Sequence, residues 1–159
     1  MESKQALTLR GFYRLQLGEV IDGKQEIVGD SGWKENEVTN LGFANYVCNL
    51  IGALAGSKQV GMIMIGTGTA PNATHTALDG ETKRQTCGNA LVASKTMRAT
   101  AQIASGDHPG GTPDISNIGL IENTASAGTL FAGNTFASST WNSNQGLSAT
   151  YELRFGTSS

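Results

Sequence analysis

The sequence has little charge. Only 15% of its 159 residues are Asp, Glu, Lys or Arg, against roughly a quarter in an ordinary soluble domain. The balance is slightly negative, 11 Lys+Arg against 13 Asp+Glu. The clustered positive charge that nucleic-acid binding requires is therefore missing. Long apolar runs are also missing. Nothing approaches the ~18 consecutive apolar residues of a membrane-spanning helix, so no membrane partner is expected. The opening MESKQALTLRG has no apolar stretch of the kind that forms a secretory leader, and assembly in a cytoplasm is expected. Two cysteines, Cys48 and Cys87, do not make a disulfide framework. They read as structural thiols, with a bridge within or between subunits left open.

Glycine is abundant: 21 residues, near twice its average share of about 7%. Ser, Thr, Asn and Ala fill much of the remainder. A chain so rich in small and turn-forming residues suits an all-β protein whose surface is partly buried by neighbours. Periodicity agrees. In LTLRGFYRLQL, Leu7, Leu9, Tyr13, Leu15 and Leu17 share one parity, as in a half-buried strand. Asp22-Gly23 then signals a hairpin turn, and SGWKENEV reads as a strand with Trp33 facing inward. VGMIMIG, NALVASKTMRATAQIAS, ISNIGLIE, TLFAGNTF and LSATYELRF read as further strands. Lys95 sits on the apolar parity of the second, which marks an edge or a bend there. SGDHPGGTPD, NTASAG and SSTWNSNQG are turn chemistry.

One segment changes period. Over about 39–56, Leu41, Ala44, Cys48, Ile51 and Ala55 recur at three and four, widened by Val47 and Leu54, which predicts an amphipathic helix. Thr39 or Asn40 would cap its start and Gly56 its end. The expectation is a mainly β domain over 7–156, an antiparallel β-sandwich or jelly roll with one helix laid across it. A flexible amino-terminal arm over 1–6 and a short tail over 157–159 would flank it.

The stretch most like a motif is MIMIGTGTAPNATHTALDGE, residues 62–81. Gly66 and Gly68 follow an apolar run, but the third position of a dinucleotide fingerprint is Pro71, and no Lys supplies a phosphate loop. The glycines instead permit a sharp exit from a buried strand. Thr67, Thr69 and Pro71 then shape an ordered loop that Leu78 pins at its far end. His75 and His108 have no second ligand at zinc spacing. Asp107 and Asp114 near His108, or Asp79 and Glu81 around Gly80, offer too few oxygens for calcium. Glu35 and Glu37 would share one face of a strand, a solvated one. No metal, cofactor or catalytic group is expected. Trp141 with Asn142, Asn144 and Gln145 forms a loop that, if its indole is exposed, would stack on a sugar.

Residues Ile65–Thr69, Ala70, Pro71, Thr74, Thr76, Ala77 and Leu78 resemble a loop of small structural proteins of tailed bacteriophages, I-G-T-G-T-x-A-P-x-x-T-D-T-A-L. One residue is missing before Ala70, and His75 stands where Asp is usual. VTNLGFANYV is similar to that family's entry to a helix, and ISNIGLIENTASAGTLFAGNTF to its strand–turn–strand. The resemblance implies a non-enzymatic virion component. The expected role is a capsid decoration (cement) protein that bridges major capsid subunits and is a homo-oligomer, with a trimer foremost. A tail-fibre-attachment, neck or baseplate component is the alternative, and a carbohydrate-binding module built on Trp141 is a third reading.

Overall fold

The computed structural model describes residues 6–158. The first strand, β1 (Ala6–Ile21), is continuous through the alternation seen in the sequence. At Asp22 and Gly23 the backbone turns left-handed, with φ of 50° and 75°, the conformation a two-residue hairpin needs. The chain returns as β2 (Lys24–Asp30) and continues as β3 (Lys34–Val38). After the helix come β4 (Val60–Gly66), β5 (Glu81–Thr86), β6 (Gly88–Ala93), β7 (Thr96–Ile103), β8 (Asp114–Glu122), β9 (Ala132–Thr140) and β10 (Gln145–Ser158).

The ten strands form one antiparallel sheet in the order β5-β4-β8-β9-β3-β1-β10-β7-β6, with β2 paired to β1 off this path. The two ends of that order are neighbours in the chain, because Cys87 alone separates β5 from β6. Its N–H donates to the Gly61 carbonyl at 2.9 Å, and Asn89 Nδ2 donates to the Val60 carbonyl at 2.7 Å. The sheet is thereby curled into a nearly closed barrel. Its interior is filled by one parity of the long strands: Tyr13, Leu15 and Leu17 from β1, Ala99, Ala101 and Ile103 from β7, and Leu147, Ala149 and Tyr151 from β10. Ile63, Ile65, Ile118 and Leu120 complete the same core from the other half. Outside, ion pairs cover β1, β7 and β10: Glu152 accepts from both Arg98 and Arg154, and Arg10 pairs with Glu35.

Several expectations are corrected. NALVASKTMRATAQIAS is two strands, β6 and β7, with the turn at Ser94 and Lys95, where the apolar parity fails. β5, ETKRQT, was not expected as a strand at all, since it carries no apolar alternation; it is paired to β4 along its length. Trp33 lies in the link before β3 and is exposed rather than inward. The arm expected over 1–6 falls outside the described residues except for Ala6, where β1 begins, and Thr157 of the expected tail pairs with Leu7.

The helix is the largest difference. It spans 40–51, not 39–56, and its middle, Gly42–Cys48, is π-helical before an α-turn at Asn49–Ile51. The Asn49 N–H reaches back to the Ala44 carbonyl, five residues rather than four, which widens the turn. Ala53 is left-handed at φ 49°, which ends the helix early. A wider turn rotates the faces. Gly42 and Tyr46 are buried, whereas Ala44, Cys48 and Ile51 of the expected inward stripe are exposed. Gly42 is obligatory, since a Cβ there would lie 2.3 Å from the Phe131 carbonyl oxygen.

A second close approach sets the β1–β3 pairing. Gly11 lies opposite Asn36, and a Cβ on Gly11 would fall 1.8 Å from Asn36 Oδ1. The Asn36 amide is buried without a well-formed hydrogen bond. Gly11→Ala is expected to destabilise the protein by about 2 kcal/mol through overpacking. Asn36→Ala in the same chain should restore most of that loss, because it removes the side chain that a Cβ on Gly11 would strike. Chemical denaturation of the two variants checks this; a double variant no more stable than the single one would refute the packing account.

Candidate functional site

The G-T-G-T-A-P loop lies over β8 and β9 and is tied down through its backbone. Thr67 N–H donates to the Gly80 carbonyl at 3.0 Å. Asp79 Oδ2 accepts from both the N–H and the hydroxyl of Thr69, at 3.0 and 3.1 Å, and these bonds hold its carboxyl below the ordinary range. Asn117 Nδ2 donates to the carbonyls of Thr69 and Asp79. Gly66 and Gly68 are required by proximity: a Cβ on either would come within 2.5 Å of Asn117 Oδ1 or Asp79 O. Pro71 sits on Gly133. Leu78 enters a second small core with Met64, Ile121 and Leu130. The carboxylate considered for calcium is thus occupied inside the loop. Glu81, its neighbour, pairs with Arg84, which also latches the β8–β9 connection through the carbonyls of Thr124 and Ala127.

The helix is anchored by Thr39, one of the two expected caps, and by three groups not singled out in the sequence. Thr39 Oγ1 donates to the Leu130 carbonyl at 2.6 Å and accepts the Gly42 N–H at 2.9 Å. The hydroxyl of Tyr46 donates to Glu122 Oε2 at 2.6 Å, and Lys58 Nζ meets Glu122 Oε1 at 2.7 Å. Thr129 N–H donates to the same carboxylate. Burial alone would raise the Glu122 pKa, but Lys58, Tyr46 and the backbone amides outweigh it and bring it down to about 2. Glu122 lies 76 residues from Tyr46 and 64 from Lys58, so of these groups only Thr39 carried a local signal, as a cap.

Between this helix and the end of the barrel runs an apolar groove of about 360 Å³, lined by Leu9, Val47, Leu50, Met97, Leu153 and Phe155. Large side chains stand open around it. Ile51, also in its lining, is 78% exposed. Leu91, opposite Met97, is 75% exposed, and Leu7, on the Leu9 face of β1, is 71% exposed. Leu54 extends the patch past the helix end. Exposed apolar residues gathered in this way mark an interaction surface.

The Trp141 loop is a different kind of feature. Trp141 is 0% exposed, its Nε1 donates to the Gln145 carbonyl, and His108 packs edge-on at 4.7 Å. His108 Nδ1 accepts the Gly110 N–H, so Nε2 carries the proton and donates to the Trp141 carbonyl. The indole therefore offers no face to a sugar, and the expected contact role is corrected to a core one. Asn142 and Asn144 remain exposed, the latter bonded to Glu19, while Gln145 is buried. His75 accepts the Asn72 N–H within its own loop, and Asp114 accepts the Thr140 hydroxyl. Glu35 is drawn to Arg10. Cys48 and Cys87 are free thiols, and burial pushes Cys87 up to about 11. Among the described residues, no three His, Cys, Asp or Glu side chains converge in a metal-holding group, and no helix is long and apolar enough to cross a membrane.

Two outcomes are expected. A carboxyl depressed in the folded state contributes stability that is present above its unfolded pKa and lost as pH falls through its folded one. Stability should therefore decline between about pH 4.5 and pH 2, and Glu122→Gln should flatten that part of the curve while costing 1–3 kcal/mol at neutral pH, a rough scale for a lost charged hydrogen bond. Thermal melts across pH check the slope. Trp141→Ala should cost about 3–5 kcal/mol, the scale of a large core truncation, as read by denaturation; a change near zero would contradict its core placement.

No protein-family model, no curated protein and no solved structure matches this chain.

Proposed function

We propose that the protein is a non-enzymatic structural component of a tailed-phage virion, a capsid decoration protein that bridges major capsid subunits. The observation that carries this reading is the apolar patch around Ile51, Leu54, Leu91 and Leu7 beside the groove of the helix. A monomer in water gains nothing from holding such residues open, whereas a subunit of a symmetric assembly buries them against a neighbour. The G-T-G-T-A-P loop, whose sequence resembles that of the phage proteins, supports it as a packed layer against β4, β8 and β9. On this reading the barrel is a flattened sandwich, its two halves facing each other across one core. Trimers on the shell, each making many modest contacts, would raise the force needed to rupture it.

The test is gold-labelled antibody on intact virions, with copy number taken from a stained gel. Hundreds of copies over the head are expected. A few copies confined to the tail would transfer the same protein to a neck, fibre-attachment or baseplate role, and no virion label would end the structural reading. Ile51→Asp with Leu91→Asp should change stability by no more than about 0.5 kcal/mol, as is usual at exposed positions, yet remove the protein from particles. Retention of the double variant at full occupancy would exclude this patch as the docking surface.

A further inference from the structure

A second opening lies further along β1, where Leu15 and Leu17 rather than Leu9 line it. β3 joins the two halves of the sheet, but its ladder to β9 ends after Glu37↔Gly133 and Val38↔Ala132. Beyond that point the two sides part. On one side β2 pairs with β1 alone. On the other, β9 beyond Gly133 meets β8 alone, at Asn134, Thr135, Ser139 and Thr140, with an irregular stretch over 136–138 between them. Two strand edges therefore border one wedge, each with a row of backbone donors and acceptors that no strand meets among the described residues. Side chains close only the apex: Asn134 Nδ2 donates to the Glu35 carbonyl at 2.7 Å, and the Tyr13 hydroxyl donates to the Thr135 carbonyl at 2.6 Å. Past them lies a cavity of about 290 Å³.

The lining of this wedge is specific. Leu15, Leu17, Ile115 and Phe136 form its apolar floor, while Gly29 and Ala137 are among the small residues of its walls. Small walls leave the backbone edges reachable. The rim is not neutral. Asp30 is satisfied by Arg14 and Gln16, whereas Lys34, which also lines the wedge, makes no ion pair among the described residues and is exposed.

We propose that this wedge receives an extended peptide strand from a partner polypeptide, with apolar side chains at alternate positions and a carboxylate facing Lys34. An extended chain is the one ligand that answers both edges with main-chain hydrogen bonds while sending every second side chain to the floor. The unpaired ammonium of Lys34 sets the sign of the charge on its solvent face. Edge strands left open are otherwise a liability that proteins cover or blunt. The proposal does not depend on the virion reading, and it concerns a surface apart from the Ile51 patch.

The experiment is an amide NMR titration of the 15N-labelled full chain with the synthetic peptide acetyl-Thr-Val-Glu-Val-Thr-Val-Thr-amide. Saturable shifts confined to residues 24–34 and 134–140, with slowed amide exchange there, are expected. The same peptide with Lys in place of Glu should bind about fivefold more weakly, the scale of one rim ion pair, and Lys34→Glu should reverse that preference without changing the melting temperature. A peptide with Pro at alternate positions, which lacks those N–H groups, should not bind. Absent shifts, shifts centred on the Ile51 groove, or a preference unmoved by Lys34→Glu would overturn the proposal. Concentration-dependent shifts at these edges without peptide would also overturn it, by assigning the wedge to a second copy of this chain.

Discussion

β3 holds the two halves of the barrel together with very little pairing. Its five residues, Lys34–Val38, meet β1 at Gly11, Phe12 and Tyr13 and meet β9 at Gly133 and Ala132. The β1 junction relies on glycine for close approach, Gly11 beneath Asn36, while Gly133 at the β9 junction lets Pro71 and the Ile118 carbonyl of β8 come close. The β1–β10 ladder by contrast runs from Ala6↔Ser158 to Glu19↔Gln145. Strength is thus concentrated within each half, and the link between them is short. A short link is why the sheet can curl around one core and also why it splits open between β2 and β9.

Two devices around that link shape the surfaces available to partners. The loop from Gly66 to Glu81 packs a second small core against β4 and β8 through Leu78, and its middle meets the helix start, where Asn40 N–H donates to the Ala73 carbonyl. The helix is in turn pinned by Thr39 to the Leu130 carbonyl and by Tyr46 and Lys58 to Glu122. With Gly42 pressed on the Phe131 carbonyl, the wide π turn directs Tyr46 inward and leaves Ile51 and Leu54 outside. The apolar patch is therefore a consequence of how the helix is anchored, and local helix propensity alone would have turned the same residues inward.

The groove and the wedge are complementary in chemistry. The groove presents side chains, aliphatic and aromatic, with few backbone groups to satisfy. The wedge presents backbone edges over an apolar floor. One suits a packed neighbour and the other an extended strand, and both leave the ion-paired outer face of β1, β7 and β10 to solvent.

Local sequence determined most of the strands of this protein. The alternation in 7–17 and 147–155, the Asp22-Gly23 turn and the turn chemistry around 105–114 follow from near-neighbour stereochemistry, and each appears where periodicity puts it. The glycines of the G-T-G-T-A-P loop were legible for the same reason, as a sharp exit from a buried strand. What the tertiary structure decided were matters of which face and which partner. β5 is a strand because β4 offers an edge, not because of its own pattern. Trp141 is core and Trp33 is exposed, though both sit in polar surroundings along the chain, because burial depends on what folds over a residue. The helix was visible as apolar spacing, but the direction of its side chains was set by contacts with Phe131, Leu130 and Glu122, 76 to 92 positions away in the chain. No periodicity within a window can register contacts made at that distance.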